Sequence, residues 1–228
     1  MASQSKKVTV IIPAFNEEKT IRQTIAGVRP YCGKVLVALA KRSNDRTEEI
    51  IKLMKVPYFR DRGFGKGDGM RLAIQKVNDG IIVFIDSDGS HISRDIPELV
   101  KPIADGRAEM VIASRFLGGS EELHGDFSKF LRMFFSMCIA QIINWRFKKT
   151  IMDTQNGFRA IDAQAAKKLS LISNHTEIET EMVMKCYKNR FRILEVPSRE
   201  LKRKFGRSNI NLWKHGWRYL WTVLRNLV

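Results

Sequence analysis

The sequence predicts an α/β fold with a mostly parallel central sheet. Short β-branched apolar runs alternate with helical stretches up to about residue 113, and these runs are apolar on both faces. The chain has 228 residues, of which 44% are hydrophobic, so it can bury a sizeable core. We therefore expect one domain over residues 1–209, followed by an amphipathic basic helix over residues 210–228.

The elements of the first half follow one another in regular order. The pattern predicts strands at 8–13, 34–39, 57–60, 80–85 and 109–113, and helices at 16–28, 45–54, 70–77 and 96–104. The first helix has acidic residues in its opening turn, where the helix dipole favours them, and Asp45 can cap the second. The glycines from Gly63 to Gly69 lack the spacing of a P-loop, so we expect a flexible loop that lets the backbone approach a ligand.

Beyond residue 115 the alternation ends. The pattern predicts a long helix at 127–148, two helices at about 163–170 and 177–188, a strand at 192–197 and a helical tail from Leu212. No repeat or low-complexity linker divides this half, which agrees with a single domain and its appended helix.

The composition excludes several classes of protein. The longest uncharged run covers residues 133–145, and 13 residues are fewer than the ~18–20 that cross a bilayer. Three unevenly spaced cysteines form neither a disulfide framework nor a zinc pattern, which favours a reducing cytosol. The net charge of +16 instead indicates an anionic partner: nucleic acid, a membrane or a phosphorylated substrate.

The charge is concentrated near the C-terminus. From Lys185 onward there are twelve basic residues against only two acidic ones. In the tail, Trp213, Trp217, Leu220 and Leu224 recur at helical spacing among basic residues, a pattern typical of a helix on a membrane surface. Packing on the core or in a dimer contact is the alternative, both for this helix and for the helix at 127–148.

Two carboxylates follow the most apolar predicted strand. Asp86-Ser87-Asp88 comes directly after it, and ligands of parallel α/β sheets bind at the carboxyl ends of strands. Hard oxygen donors suit Mg²⁺ or Mn²⁺, which can bridge phosphates and neutralise a departing diphosphate. The same composition also suits a simple turn.

Several motifs together resemble a known family. Residues 10–18 (VIIPAFNEE), Asp86-Ser87-Asp88 and residues 153–159 (DTQNGFR) are similar to family 2 glycosyltransferases, especially the dolichyl-phosphate (polyprenyl-phosphate) mannose or glucose synthases. Shorter matches are ASRF at 113–116, ETEM at 179–182, EVP at 195–197 and RKFGRS at 203–208. The matches extend from residue 8 to about 209.

The resemblance implies a GT-A (Rossmann-like) nucleotide-sugar-binding fold, a GDP- or UDP-sugar donor and a divalent cation. A hexose would be transferred to a polyprenyl or dolichyl phosphate with inversion at the anomeric carbon. The protein would be a peripheral protein on the inner, cytoplasmic face of the membrane. A soluble acceptor is the alternative. Nucleic-acid binding is less favoured, because it leaves the aspartates unexplained. The sequence leaves open whether the protein forms a homo-oligomer.

The resemblance also implies roles for individual residues. Donor-binding residues would be Pro13, Phe15, Asn16, Glu17, Val37, Asp86, Ser87, Asp88 and Arg115, with the metal held by Asp86 and Asp88. Acceptor or phosphate contacts would come from Arg132, Gln155, Arg203, Arg207 and Ser208. Catalytic roles would fall to Asp88, Asp153 and Arg203. A phosphate acceptor needs no strong base, whereas a hydroxyl acceptor would need one, for which Asp153 is the candidate.

Three departures from the family pattern stand out. Ala40 and Lys41 replace the aspartate pair that usually follows the second strand, which points to an altered nucleotide preference. Ser90 stands where the synthases often have glutamine. Ser208-Asn209 replaces the usual Ser-Lys, so one phosphate-binding charge is missing there, for which Arg207 can substitute.

Overall fold

A computed structural model describes residues 7–121, 127–203, 205 and 212–227. Within them, one seven-stranded sheet has the order β3-β2-β1-β4-β6-β5-β7. The strands are β1 Val8–Ala14, β2 Lys34–Leu39, β3 Tyr58–Arg60, β4 Ile81–Phe84, β5 Met110–Ser114, β6 Arg159–Asp162 and β7 Ile193–Pro197. All neighbours pair in parallel except β6, which runs antiparallel to β4 and β5. The predicted mostly parallel α/β architecture is confirmed.

The α-helices cover both faces of the sheet. They are α1 Ile21–Val28, α2 Thr47–Leu53, α3 Lys66–Gln75, α4 Ile96–Ala104, α5 Arg115–Gly118, α6 Phe127–Phe147, α7 Ala163–Lys168, α8 Ile178–Lys188 and α9 Leu212–Leu227. One core cluster packs α1, α2 and α4 on one face, and the other packs α3 and α6–α9 on the opposite face. Burial on both faces explains why the central strands are continuous apolar runs.

The strand β6 was not predicted, because its four residues begin and end with charged side chains. Arg159, its first residue, is fully buried. Its guanidinium donates to the backbone carbonyls of Thr154, Asn156 and Glu179, so its polar atoms are satisfied inside the protein. Arg159 thereby ties the loop before β6 to α8.

The C-terminal helix α9 meets two environments. Tyr219 and Val223 are buried in the core beside α8, and the Tyr219 hydroxyl donates to Thr176 Oγ1 at 2.7 Å. On its other side, Trp217 and Trp221 are exposed. The helix therefore packs on the domain and also presents an apolar surface; the side chain of Trp213 lies outside the described part of the chain.

The long helix α6 has the same two-sided character and contacts α9. Ile139 and Ile143 are buried in the core, whereas Phe130, Phe134 and Trp145 are exposed. None of the helices in the described ranges combines the length and the apolar run that a bilayer span requires.

Candidate active site

The carboxyl ends of four neighbouring parallel strands, β1 to β4, open into one cleft with a volume of 410 Å³. We call it the strand-end cleft. Its lining includes Pro13, Phe15, Glu17, Ala38, Ala40, Arg42, Asp61, Phe64, Lys66, Asp86, Ser87, Asp88 and Arg203. Its position agrees with the rule that parallel α/β sheets bind ligands at the carboxyl ends of their strands.

The segment Asp86-Ser87-Asp88 follows β4 at the floor of this cleft and is held rigidly. The Ser87 hydroxyl donates to the Pro13 carbonyl at 2.8 Å, which joins the ends of β4 and β1. Asp88 Oδ1 accepts from the amide and hydroxyl of Ser90, at 3.0 and 2.7 Å. Asp88 Oδ2 pairs with Arg203 at 3.0 Å. Ser90 thus positions Asp88 without itself facing the cleft.

Lys66 bridges two carboxylates beside the cleft. Its Nζ lies 2.6 Å from Asp86 Oδ1 and 2.7 Å from Glu179 Oε1. Burial by itself would lower the pKa of Lys66, but the two carboxylates outweigh it and raise that pKa. Burial also opposes ionisation of Asp86, yet Lys66 and His91 hold its pKa well below the usual range. Asp86 is therefore charged at neutral pH, and its negative charge is balanced by Lys66.

The glycine-rich segment that carries Lys66 packs closely against another part of the chain. Gly65 has φ +126°, a conformation that favours glycine. A Cβ at Gly67 would lie 2.6 Å from the Ser173 carbonyl oxygen, far inside van der Waals contact. These glycines let α3 begin at Lys66 beneath residues 173–175, rather than at residue 70 as predicted. The segment is a packed platform instead of the predicted flexible loop.

A second, smaller cavity of 110 Å³ adjoins the cleft, and we call it the basic cavity. Its basic lining residues are Lys66, Arg115, Arg132 and Arg203, and its other residues include Asp86, Phe135, Ser136, Ile139, Gln155, Glu179, Glu200 and Tyr219. The two spaces share Thr176 and three charged side chains, Lys66, Asp86 and Arg203. The helices α6 and α9 form one side of the basic cavity.

Two buried polar atoms in the basic cavity have no hydrogen-bond partner within the described structure. They are Ser136 Oγ and Glu179 Oε2. Burial raises the pKa of Glu179, although Lys66 opposes this shift. Buried polar groups are usually satisfied, so the orphaned Ser136 hydroxyl beside four basic side chains is suited to an anionic ligand, whereas Glu179 Oε2 calls for a hydrogen-bond donor.

Arg115 is oriented by a buried carboxylate. Its Nε and Nη2 donate to Asp153 Oδ2 and Oδ1 at 2.8 and 2.9 Å, a bidentate pair. Asp153 is fully buried, and its Oδ1 also accepts from the amides of Gln155 and Asn156. Burial opposes its ionisation, but Arg115 lowers the pKa of Asp153. In this arrangement Asp153 touches Arg115 rather than either cavity.

The structure separates the residues predicted from the sequence into groups. Lining the strand-end cleft are Pro13, Phe15, Glu17, Asp86, Ser87, Asp88 and Arg203; lining the basic cavity are Arg115, Arg132, Gln155, Asp86 and Arg203. Arg115 was expected at the donor and instead lines the basic cavity. Arg207 and Ser208 lie outside the described residues.

Two residues predicted to bind the donor do not line the cleft. Val37 is fully buried in the core, and it is Ala38 that lines the cleft, because successive strand residues point to opposite faces. Asn16 is exposed and is absent from the cleft lining; its Oδ1 accepts from the Ser43 hydroxyl and the Asn44 amide. Asn16 therefore holds the segment after β2 against the end of β1.

Sequence reasoning missed Lys66, Asp61, Ser136 and the cavity-facing role of Glu179. The glycine-rich segment around Lys66 was a usable signal for a strand-end ligand site. Ser136 carried no signal, because a serine within a helix becomes notable only when the fold buries its hydroxyl beside arginines.

The donor atoms at the cleft fit a divalent cation that arrives with phosphates. Among the described residues, no group of three or more His, Cys, Asp or Glu side chains could hold a metal ion. Asp86 and Asp88 supply two carboxylates at one strand end. Mg²⁺ commonly takes one or two carboxylates and completes its shell with water and substrate phosphates. Asp86 and Asp88 could therefore supply the protein ligands of such a site.

Comparison with known proteins identifies the fold and the family. The chain superposes with a TM-score of 0.76, at 19% identity, on Mycobacterium tuberculosis glucosyl-3-phosphoglycerate synthase, crystallised with Mn²⁺, UDP-glucose and glycerol 3-phosphate. The alignment covers 97% of this chain and 80% of that one. The fold is GT-A. The family model for glycosyl transferase family 2 matches residues 9–170, so the chain belongs to that family and is a glycosyltransferase.

Three similar proteins come from archaea. MJ1222 of Methanocaldococcus jannaschii, an uncharacterized protein, is 30% identical over 89% of this chain and 84% of its own. A UDP-N-acetylglucosamine–dolichyl-phosphate N-acetylglucosaminyltransferase of Methanococcus voltae is 26% identical over 84% of both chains. A dolichyl-phosphate hexose transferase of Haloferax volcanii is 24% identical over 83% of this chain and 81% of its own. The predicted resemblance to polyprenyl-phosphate glycosyltransferases is confirmed.

Proposed function

We propose that this protein transfers a hexose from a GDP- or UDP-sugar to a polyprenyl or dolichyl phosphate at a membrane surface, with a divalent cation and with inversion. The observation that carries the proposal is the meeting of the strand-end cleft and the basic cavity at Lys66, Asp86 and Arg203. A donor diphosphate in the cleft and an acceptor phosphate in the cavity would face each other across these three side chains.

The basic cavity is suited to a phosphate. Arg115 and Arg132 offer guanidinium groups, which match phosphate geometry, and the buried Ser136 hydroxyl can donate a hydrogen bond. The names of the relatives from Methanococcus voltae and Haloferax volcanii, both of which contain dolichyl phosphate, support a lipid-linked acceptor.

The proposed reaction forms one bond and breaks one. An acceptor phosphate oxygen attacks the anomeric carbon, and the bond from that carbon to the donor diphosphate breaks, so that the nucleoside diphosphate leaves with the electron pair. The attacking oxygen is already anionic, which makes a general base unnecessary. Arg203 can exchange Asp88 for the departing phosphates. Mg²⁺ or Mn²⁺ on Asp86 and Asp88 would neutralise the charge of the leaving group.

We also propose that α6 and α9 rest on the cytoplasmic face of an anionic membrane. Both helices line the basic cavity and both expose large apolar side chains, among them Phe134 and Trp217. Exposed Lys148 and Lys149 follow α6 directly. Tryptophan favours the lipid interface and lysine favours anionic headgroups, so the acceptor phosphate would enter from the bilayer beside these helices.

Nucleotide binding is the first test of the proposal. We expect GDP- or UDP-sugars to raise the thermal midpoint of the full chain, and Mn²⁺ to increase that shift, because a ligand that binds only the folded state stabilises it. Transfer assays would then compare polyprenyl phosphate with a soluble phosphomonoester. No stabilisation by any nucleotide, with or without metal, would contradict a nucleotide-sugar donor. Transfer to the soluble acceptor alone would favour the alternative acceptor.

Membrane binding can be tested by substitution on α9. We expect Trp217→Ala/Trp221→Ala to weaken binding to phosphatidylglycerol vesicles about tenfold or more, since each lost tryptophan contact is worth about 1 kcal/mol or more. These side chains are 61% and 58% exposed, so the fold should tolerate the change. Truncating the helix is a poorer test, because it would also remove Tyr219 and Val223 from the core.

A pair of leucine variants provides the matched control. Leu224 on α9 and Leu53 on α2 are similarly exposed, at 58% and 64%, but α2 packs on the opposite face of the sheet. Leu224→Ala should reduce vesicle binding, and Leu53→Ala should not. Equal effects, or a change in oligomeric mass in place of vesicle binding, would contradict the membrane assignment and favour a contact between copies.

A further inference from the structure

The end of β2 presents a nonpolar surface to the strand-end cleft. Ala38 and Ala40 both line it, and neither side chain can form a hydrogen bond. Lys41 follows, but its backbone amide is already bonded to the side chain of Asp61. The neighbouring strand β3 therefore has to supply any carboxylate at this end of the cleft.

Asp61 lies immediately after β3 and is held in one orientation. Its amide donates to the Leu39 carbonyl at 2.9 Å, which extends the β2–β3 pairing by one step. Its Oδ1 accepts from the amides of Lys41 and Gly63, both at 2.8 Å. The backbone bond and the two side-chain bonds together fix Asp61, which is 6% exposed and contributes to the cleft lining.

The second carboxylate oxygen of Asp61 is unused. Within the part of the chain that the structure describes, Oδ2 has no hydrogen bond and no salt bridge. The backbone of Gly69 lies next to it; a Cβ there would be only 3.7 Å from Oδ2. Because Asp61 lines the cleft and Oδ2 is its one carboxylate oxygen without a donor in the described structure, this oxygen can accept a hydrogen bond from a ligand N–H there.

We propose that Asp61 selects the nucleobase of the donor by accepting a hydrogen bond from a ring N–H. The inference rests on the proposed nucleotide-sugar donor. Uracil offers such a group at N3 and guanine at N1, whereas cytosine N3 and adenine N1 carry a lone pair that a carboxylate repels. The exposed aromatic rings of Phe15 and Phe64 line the same cleft and offer faces for stacking.

The variant Asp61→Asn isolates this contact. Asparagine keeps an oxygen for the amides of Lys41 and Gly63 but replaces the free oxygen with an NH₂ donor. Calorimetric titration in Mn²⁺ would measure UDP, GDP, CDP and ADP on both proteins. We expect the wild type to prefer UDP or GDP about ten- to a hundredfold, and the variant to lose or reverse that preference. Unchanged base selectivity in the folded variant would overturn the inference.

A modified ligand gives a test that needs no variant. The nucleotides 3-methyluridine diphosphate and 1-methylguanosine diphosphate lack the ring N–H, and we expect the wild type to bind whichever corresponds to its preferred base at least tenfold more weakly. Equal binding of methylated and parent nucleotides would overturn the role of Asp61 and leave the proposed function standing. Failure of every nucleotide to bind would overturn both.

Discussion

Asp88→Asn should lower kcat about 10²- to 10³-fold, the loss typical of removing one preorganised electrostatic contact. Asp88 is a carboxylate at the end of β4 that contacts Arg203 directly, so its charge governs both the proposed metal and the arginine that would meet the leaving diphosphate. Asparagine retains an oxygen for the two bonds from Ser90, which should preserve the local fold. Steady-state kinetics and Mn²⁺-dependent nucleotide titration would measure the effect.

The control for this variant is a surface aspartate. Asp105 is exposed at the end of α4 and pairs only with Lys101 and Arg107 in the described structure. Asp105→Asn also removes one carboxylate charge, but outside the cleft. It should leave kcat and the metal dependence of the activity unchanged. If Asp88→Asn retained full activity with unchanged metal dependence, the proposed metal and diphosphate site would be wrong.

Asp153→Asn should lower the free energy of unfolding by about 3–5 kcal/mol, because it leaves the buried Arg115 guanidinium with only the more distant carboxylate of Glu200, 3.8 Å from its Nη1, in the described structure. For a chain of this size, each kcal/mol corresponds to roughly 2–4 °C in Tm, so a fall of about 6–20 °C is expected. Activity should fall as well, because Arg115 would no longer be held in the basic cavity. Denaturant titration and transfer kinetics would measure both.

Companion variants separate a positioning role from a general-base role. Arg115→Met should reduce activity about as much as Asp153→Asn, and the double variant Arg115→Met/Asp153→Asn, which keeps an oxygen for the amides of Gln155 and Asn156, should regain stability without regaining activity. Loss of activity without loss of stability in Asp153→Asn would instead favour the base role. The exposed pair of Arg192 and Glu109 is the control, and Glu109→Gln should change stability by no more than about 1 kcal/mol.

The same pair predicts how stability depends on pH. Arg115 lowers the pKa of Asp153 below its usual range, although burial opposes this. The unfolded chain therefore takes up this proton at a higher pH than the folded chain, so the pair stabilises fully above about pH 4 and loses its contribution as the pH falls further. The double variant should lack this part of the acid dependence.

Much of the fold could be predicted because it is encoded locally. The β-branched runs that became β1, β2 and β4 are apolar on both faces, and this pattern already implies a parallel sheet covered by helices. The strand β6 escaped prediction because Arg159 at its start is charged yet buried, and only carbonyls contributed by Thr154, Asn156 and Glu179 make that burial tolerable.

The candidate site, like the fold, could be predicted only in part from the sequence. Asp86-Ser87-Asp88 could be placed at a ligand site from the sequence, because it directly follows a strand that had to be central. The partners of these aspartates could not, since Lys66 lies on α3 and Arg203 lies far along the chain beyond β7. Ion pairing between distant segments depends on how the helices and strands pack. The spacing of residues along the sequence does not encode that packing.

The sequence by itself determined the α/β class, the glycosyltransferase family and the strand end that carries the aspartates, because periodicity and motif order are properties of neighbouring residues. Only the tertiary structure decided that Val37 is core, that Asp153 holds Arg115, and that Asp61 after β3 faces the cleft where β2 has none of the usual carboxylates. These outcomes depend on which side chains come into contact after folding. Burial and the neighbouring charges at those contacts then set the pKa of the ionisable groups.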